Sequence, residues 1–520
     1  MDNSNSNSSA PAALSPYADN LLIQNNLSRS KDRFKPLNSP YVGLYVCGPT
    51  VYSNVHLGNV RTFLTFDVIY RYLCQLGYNV RYVRNITDVG HLVGDADEGE
   101  DKIGKMARLQ NLEPMEIVQR YTNDFHDVMR MFNILPPSIE PTATGHIIEQ
   151  IEMIEAIMKN GFAYQAGGSV YFDVRKYAEQ HDYGTLSGRK IDDLRSATRD
   201  LDGQSDKRDP LDFALWKEAN ETHLMRWPSP WSIGFPGWHL ECSVMSTKYL
   251  GKSFDIHGGG MDLKFPHHEC EIAQNVGAYG DETPPVGYWV HGNMLTVNGR
   301  KMSKSEGNGF TPDELISGNH KLLERGYSPM TVRFFMLQGH YAGTLDFSNA
   351  ALQAAEKGLT RLMAAWSAIE GLAAIDVATA TAAPGVAAAG EIDVESLRNR
   401  CYAAMNDDFN TPILIATLYD GVKWINSAKD GRLAITVEQK SGLADLFNTF
   451  AKDVMGLSFE DGSTGADDDR TDGLMALICD MRASAKSDKN WAMADEIRDQ
   501  LAAIGVQIKD GKDGATWTFD

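Results

Sequence analysis

Two short segments carry donors suited to the phosphates of a nucleotide. VHLGNVR (Val55 to Arg61) lies where a predicted strand gives way to a predicted helix. Backbone N–H groups and the helix dipole attract anions at such a turn, and His56 and Asn59 would add side-chain donors. KMSKS (Lys301 to Ser305) offers two lysines on a loop that could close over the same phosphates.

A glycine-rich segment, HGGGMD (His257 to Asp262), directly follows another predicted strand. Its glycines, Gly259 and Gly260 among them, would let the backbone approach a nucleotide closely, while Asp262 would accept hydrogen bonds from ribose hydroxyls. Each segment alone is a weak signal, because a glycine run is often only a tight turn and a Lys/Ser segment is usually a solvated loop. Their order along the chain is what indicates an ATP site.

The elements that would position these segments follow a recognisable order. YVGLYVCG (Tyr41 to Gly48) is rich in β-branched and aromatic residues and stops at Gly-Pro, as a buried parallel strand would. From Leu57 to Leu76 apolar residues recur every three or four positions, and Gly77 predicts the helix end. NVRYVRNITD (Asn79 to Asp88) returns to strand composition. This βαβ unit predicts an α/β, doubly wound parallel (Rossmann-type) catalytic domain.

Composition predicts how the rest of the chain is divided. The start is rich in Ser and Asn, a later stretch has Ala, Leu and Met at helical spacing, and an acidic Gly/Ser segment follows it. We predict a disordered tail over 1–20, the catalytic domain over 21–137 and 238–300, a connective insertion over 138–237, the KMSKS region over 301–350, an α-helical bundle over 351–456, a linker over 457–472 and a small α+β domain over 473–520.

Bulk properties exclude several classes of protein. The 520 residues carry 49 Lys plus Arg against 69 Asp plus Glu, and the net charge of −20 is opposite to that of an unselective nucleic-acid coat. The six cysteines are scattered, which favours a reducing compartment over a disulfide-bonded secreted protein. No stretch approaches the roughly 18 consecutive apolar residues of a membrane span. We therefore expect a cytoplasmic protein that does not enter a membrane.

Together the motifs resemble a known family. HLGN on the first helix, GGG-x-D late in the sheet and KMSKS after it are similar to the signature set of class I aminoacyl-tRNA synthetases. The flanking segments resemble the cysteinyl-tRNA synthetase family: YVCGPTVY (Tyr45 to Tyr52), RNITDV (Arg84 to Val89), GWHLECSVM (Gly237 to Met245) and IHGGGMDLKFPHHECEIAQ (Ile256 to Gln274). The likeness is strong over residues 20 to 345 and looser through MNDDFNTP (Met405 to Pro412) and GATW (Gly514 to Trp517).

The resemblance implies a function and a set of site residues. The family activates L-cysteine with ATP and Mg²⁺ to cysteinyl adenylate and transfers the cysteinyl group to the 3′-terminal adenosine of tRNA(Cys). By resemblance, residues 301–350 would contact the tRNA stem, and residues 351–456 and 473–520 would bind the anticodon. We expect a monomer. By resemblance, the zinc ligands, one ion per chain, are Cys47, Cys242, His267 and Glu271; the catalytic residues are His56, Asn59, Lys301 and Lys304; ATP is bound by Gly58, Gly259, Gly260, Asp262 and Lys304; Thr87 and Trp238 line the amino-acid pocket.

Zinc would answer a problem of selectivity. Serine differs from cysteine by one atom, and the shape of a pocket separates such near-isosteres only about ten- to two-hundredfold. A zinc ion binds a soft thiolate, whereas a serine hydroxyl ionises far less readily and is a poorer ligand. One coordinate bond could therefore replace an editing domain.

The residues themselves leave several alternatives open. Cys270 lies three residues after His267, so helical spacing would let it replace Glu271 as a ligand. Four protein ligands could also form a closed structural zinc site. Asn59 stands where the family has a second histidine and cannot carry its charge. Trp517 could stack on an RNA base or belong to a small core. Rival functions are a cysteine ligase acting on a small amine and a catalytically silent RNA- or metal-binding paralogue.

Overall fold

The computed structural model describes residues 13–92, 101–191, 206–221, 223–302, 308–375, 392–459, 465–503, 505–511 and 514–519. Its strands, in chain order, are β1 Leu22–Asn25, β2 Ser30–Arg33, β3 Tyr41–Val46, β4 Asn79–Arg84, β5 Ala163–Ala166, β6 Ser169–Phe172, β7 Phe213–Glu218, β8 Trp227–Pro228, β9 Ile233–Pro236, β10 Phe254–Gly260, β11 Val286–Gly292, β12 Leu295–Val297, β13 Arg300–Lys301, β14 Leu345–Phe347, β15 Val506–Gly511 and β16 Gly514–Phe519.

The α-helices are α1 Leu57–Gln75, α2 Lys102–Gln110, α3 Pro114–Met131, α4 Ile147–Lys159, α5 Val174–Ala178, α6 Leu240–Leu250, α7 His267–Tyr279, α8 Pro312–Ser317, α9 Pro329–Leu337, α10 Asn349–Ala368, α11 Val394–Asn406, α12 Thr411–Lys429, α13 Val437–Phe447, α14 Gly465–Ser487 and α15 Trp491–Ala503. A π-helix, Asn448–Val454, continues α13.

A parallel sheet in the order β11-β10-β3-β4 forms the centre of the catalytic region. Helix α1 connects β3 to β4 and buries its apolar stripe, as its periodicity predicts, and Gly77 follows it with a φ of +91°. This topology confirms the predicted doubly wound α/β fold. In such a sheet, side chains that follow the carboxyl ends of neighbouring strands converge on one edge.

Residues between the two halves of the parallel sheet form a second, antiparallel sheet. Its order is β5-β6-β7-β9-β8, and its apolar face packs with α4, α6 and α7 in a separate hydrophobic core. After β11, strands β12 and β13 form a hairpin closed by Asn298 and Gly299, both with positive φ, as the Asn-Gly signal predicts.

The chain divides into two compact units, Met1–Leu457 and Ser458–Asp520. In the first unit, helices α10 to α13 pack beside the catalytic region in one continuous hydrophobic core. In the second, α14 and α15 enclose a small core with the β15-β16 hairpin. Helix α14 begins at Gly465, within the segment whose acidic, glycine-containing composition predicts a linker.

Residues 1–12 of the predicted disordered tail lie outside the described residues, whereas residues 13–20 pack against the rest of the first unit. Residues 13–20 are ordered on the bundle, where Tyr17 stacks on Tyr402 with ring centres 3.8 Å apart. The amide of Asn406 donates to the Tyr17 carbonyl oxygen, and the Ser15 N–H donates to the carbonyl of Leu76. Low apolar content predicts disorder only when a segment lacks such an aromatic anchor.

No helix within the described ranges is both long and apolar enough to cross a bilayer.

Candidate functional site

A cleft of about 690 Å³ opens where the strands of the parallel sheet end. Cys47, which follows β3, and His56, at the start of α1, both line it. Gly260 and Asp262 come from the end of β10 and the turn after it. The cleft therefore joins the predicted metal ligands to the segments predicted to bind ATP.

The four residues predicted to bind zinc lie together. Cys47, Cys242, His267 and Glu271 each offer a ligand atom within 4.8 Å of the others, and all four are buried. Cys47 Sγ is 3.5 Å from Cys242 Sγ, and His267 Nε2 is 3.4 Å from Cys242 Sγ and 3.2 Å from Glu271 Oε1. Two sulfurs, an imidazole and a carboxylate are a donor set that zinc accepts. The group can hold a metal ion.

Electrostatics favours the ionised form of two of these four groups. Burial alone would raise the pKa of Glu271, but the imidazoles of His257 and His267 lower it to about 2. Burial also raises the pKa of Cys242, yet the hydrogen bond from Cys47 and the charge of His267 bring it down to about 6. Burial raises the pKa of Cys47 well above its usual value. The surroundings thus favour the ionised forms of Cys242 and Glu271, and the thiolate is the metal-binding form of cysteine.

Two further histidines, which the sequence did not assign to the metal group, border it. Cys47, His257, His268 and Glu271 form a second set of four ligand atoms within 4.8 Å of one another. His257 Nε2 lies 2.8 Å from Glu271 Oε2, and His268 Nε2 lies 3.3 Å from Cys47 Sγ. Hydrogen bonds of this kind orient ligands around a metal. The doubled histidine in FPHHE was the signal that could have indicated the second imidazole.

Cys270 does not join this group. Its sulfur lies 3.7 Å from the Tyr183 hydroxyl, and it packs in the hydrophobic core between α6, α7 and the antiparallel sheet. Helical spacing alone could not separate Cys270 from Glu271. The rotation of α7 separates them, because it turns residues 267 and 271 to the same side. The geometry therefore favours Glu271 as the fourth ligand.

His56 and Asn59 form a reciprocal cap at the start of α1. The Gly58 N–H donates to His56 Nδ1 over 3.1 Å, and the His56 N–H donates to Asn59 Oδ1, also over 3.1 Å. Since Nδ1 accepts, the proton of a neutral His56 ring lies on Nε2. Both side chains line the cleft. The cap thus fixes the imidazole as a donor beside the positive end of the helix dipole.

The glycine segment is part of β10 rather than a turn after it. Gly258 pairs with Val46 of β3, and a Cβ there would lie 2.0 Å from the Phe66 ring. A Cβ at Gly260 would lie 2.4 Å from Asp262 Oδ1. The glycines therefore let α1 pack directly on the sheet and leave room for Asp262 at the strand end, which the tight-turn interpretation did not foresee.

The two residues predicted to line the amino-acid pocket differ in exposure. Thr87 is buried, and its hydroxyl donates to the carboxylate of Glu241. Trp238 lines the cleft, and its ring centre is 4.7 Å from that of the metal-group residue His267. Lys301 ends the β12–β13 hairpin, but its side chain and all of Lys304 lie outside the described residues.

Comparisons with protein families agree with this arrangement. The family of class I (C) tRNA synthetase catalytic domains matches residues 33–357, the DALR domain matches 400–460, and the cysteinyl-tRNA ligase anticodon binding domain matches 478–517. Among solved structures, the Mycobacterium tuberculosis methionyl-tRNA synthetase with methionyl-adenylate is similar in fold, with a TM-score of 0.55 at 14% identity over 80% of this chain and 92% of that one.

The curated relatives are much closer in sequence. The cysteine–tRNA ligase of Phocaeicola vulgatus is 57% identical over 96% of this chain and 99% of its own length. That of Bacteroides fragilis is 56% identical over the same shares. That of Chlorobium chlorochromatii is 46% identical, again over 96% and 99%. On the three domain matches and these identities, the chain belongs to the cysteine–tRNA ligase family of class I tRNA synthetases.

Proposed function

We propose that this protein activates L-cysteine with ATP and Mg²⁺ and transfers the cysteinyl group to the 3′-terminal adenosine of tRNA(Cys). The observation that carries the proposal is the cleft itself, because one cavity is lined both by Cys47 of the metal group and by His56 and Asn59 of the helix cap. An adenylating site that selects a thiol needs both parts within reach of one small substrate. Since cysteinyl-tRNA is used in translation, we place the protein in the cytoplasm. We also propose that it acts as a monomer.

Zinc is the metal that we assign to Cys47, Cys242, His267 and Glu271. Bound there, it would supply a Lewis acid that takes the substrate's sulfur as thiolate and discriminates against a hydroxyl. Buried histidines border this end of the cleft. Trp238, close to His267, would cover the substrate. Thr87 would contribute to the amino-acid pocket by holding the Glu241 carboxylate in place through its hydrogen bond.

The other end of the cleft would position and stabilise the reacting phosphates. The cysteine carboxylate attacks the α-phosphorus of ATP, and pyrophosphate leaves, so the enzyme needs no nucleophile of its own. His56 would donate through Nε2, Asn59 through its amide, and Lys301 and Lys304 would bring positive charge. Gly58, Gly259 and Gly260 would let the backbone approach the nucleotide, and Asp262 would accept from the ribose.

Anticodon recognition is proposed for the small C-terminal unit. Trp517 packs against the apolar core of that unit, which favours the core interpretation of this side chain. Trp491, at the start of α15, is instead 60% exposed. An exposed indole can stack on an unpaired base of single-stranded RNA. We assign base stacking to Trp491, a residue that the sequence did not single out.

The decisive experiment compares cysteine with serine in aminoacylation of tRNA(Cys), before and after zinc removal. With zinc, we expect cysteine to be favoured well beyond the roughly two-hundredfold that shape alone provides. A zinc-free preparation that still prefers cysteine undiminished would refute the zinc assignment. Cysteinyl transfer to a small amine but not to tRNA would refute the tRNA assignment.

Zinc content of two neighbouring variants tests the ligand set. Glu271→Ala removes a ligand and should lose the metal, whereas Cys270→Ala is the matched control on the same helix and should keep about one zinc per chain. Zinc loss in Cys270→Ala alone would show that the cysteine is the ligand. Retention in both would place the metal elsewhere.

A further inference from the structure

His91 and Lys102 lie next to each other in the lining of the cleft. The backbone segments that contain these two residues are paired. The Lys102 N–H donates to the His91 carbonyl oxygen over 3.0 Å, and Leu92 forms a β-bridge with Asp101. Their side chains are paired as well, with Lys102 Nζ 2.6 Å from His91 Nε2. Both residues line the cleft. Nothing in the motifs discussed above gives His91 a role.

The His91 ring is held at both nitrogens. Nε2 faces the Lys102 amine, and Nδ1 lies 2.8 Å from the Thr50 hydroxyl. An ammonium group can only donate, so Nε2 accepts and the proton lies on Nδ1, which donates to Thr50. A ring fixed at both ends has one orientation. Thr50 belongs to the loop after β3, so this loop and Lys102 jointly orient His91.

This ring stacks on Trp238. The two ring centres are 3.9 Å apart and the planes differ by 11°. The neighbouring Gly90 permits the approach, since it has a φ of +83° and a Cβ there would lie 2.6 Å from the carbonyl oxygen of Pro236. Trp238 in turn lies 4.7 Å from the His267 ring. The indole is therefore held between His91 and the metal group.

We infer that His91 is a positioning residue for cysteine binding: its anchored ring holds the Trp238 indole against the amino-acid end of the cleft. The inference rests on the proposed function, because Trp238 must cover the substrate for its orientation to matter. His91 does not touch the reacting atoms. It narrows the conformations of the indole before cysteine arrives, and a pre-organised pocket binds more tightly.

The test is a double-mutant cycle on the KM for cysteine in ATP–pyrophosphate exchange. His91→Ala should raise this KM about two- to tenfold, the range of an aromatic pair, with the KM for ATP little changed. His91→Phe keeps the stacking ring but loses both hydrogen bonds that anchor it, so its KM for cysteine should lie between those of wild type and His91→Ala. In a Trp238→Ala background, His91→Ala should have no further effect on the KM for cysteine. Additive effects would overturn the inference, as would equal rises in both KM values.

A spectroscopic readout is independent of activity. With 5-fluorotryptophan incorporated, the ¹⁹F resonance of Trp238, assigned by its absence in Trp238→Phe, should shift or broaden in His91→Ala, and do so to a smaller extent in His91→Phe, which keeps the ring but not its two anchors. His181→Ala, which removes another histidine in aromatic contact with tyrosine, is the control and should leave the resonance unchanged. An unaltered resonance in His91→Ala overturns the inference, whereas a wild-type enzyme without cysteine-dependent exchange refutes the proposed function.

Discussion

A buried ion pair ties the first helix of the catalytic region to α9, whose arginine also contacts the end of the helical bundle. Asp67 on α1 and Arg333 on α9 are both fully buried, with Arg333 Nη2 2.5 Å from Asp67 Oδ2. Arg333 also donates to the carbonyl oxygens of Phe132, Asn133 and Met455 over 2.7 to 3.1 Å. Burial lowers the pKa of Arg333, and Asp67 offsets part of that effect. The pair therefore joins four segments of the first unit: α1, α9, residues 132–133 and the end of the helical bundle.

The cost of breaking this pair depends on which partner is removed. Arg333→Met loses three bonds to carbonyls at about 1 kcal/mol each. It leaves Asp67 still bonded to Arg71 and to the Leu135 N–H, so we expect a loss of about 3 to 4 kcal/mol. Asp67→Leu instead leaves the Arg333 guanidinium buried without a carboxylate and should cost about 5 kcal/mol. The double variant should cost less than the two single losses added together.

Urea unfolding followed by circular dichroism measures this order. Arg325→Met is the control, since its exposed pair with Glu356 should change stability by less than about 1 kcal/mol. If the double variant loses the sum of the two single losses, Asp67 and Arg333 do not interact energetically and the reasoning is wrong. It is also wrong if Asp67→Leu is tolerated as well as Arg325→Met.

Three more predictions follow from the same geometry. Asn59→Ala removes the acceptor of the α1 cap, so it should weaken the helix start by about 1 kcal/mol and slow pyrophosphate exchange, with the KM for cysteine unchanged. Gly258→Ala should destabilise the sheet by roughly 1 to 3 kcal/mol through overpacking, measured by thermal unfolding against Gly371→Ala, where a Cβ meets only one atom, at 3.8 Å. Tyr17→Ala should lower the urea midpoint through the lost stacking on Tyr402. Because burial and Glu395 raise the pKa of Tyr17, the stabilisation by its hydroxyl should be full below about pH 10 and should fall as the pH rises further. The difference in stability between wild type and Tyr17→Phe should therefore shrink above about pH 10.

The fold was largely predictable from the sequence because its strongest signals are local. The apolar period of α1, the β-branched run of β3 and the Asn-Gly turn each depend on a few neighbouring residues. The order of strand, helix and strand then limits the topology, since parallel crossovers are almost always of one hand. The metal group was placed by resemblance rather than by these rules. Parallel strand ends explain afterwards why Cys47 meets residues nearly two hundred positions away.

What could not be predicted depends on rotation and contact in three dimensions. No spacing rule says which of Cys270 and Glu271 faces the metal group, because both lie within one helical turn of His267. The stacking of His91 on Trp238 joins residues 147 positions apart, from 238 − 91, across a glycine whose role is visible only in the folded chain. Likewise, the segment around Tyr17 is held by contacts with residues distant in the chain, among them the stacking on Tyr402 and the hydrogen bond from Asn406.

Asn59 shows how local geometry bears on a departure from a family pattern. The family has a histidine here, and loss of its charge suggests weaker phosphate binding. In the structure, however, the side-chain Oδ1 of Asn59 accepts the backbone N–H of His56, while His56 Nδ1 accepts the Gly58 N–H. The Gly58 N–H therefore sets the donor orientation of the His56 ring, Asn59 Oδ1 holds the His56 backbone as an acceptor, and neither bond requires a cation at position 59. Because asparagine supplies that acceptor and still has an amide to donate, the substitution is compatible with an intact phosphate-binding end of the cleft.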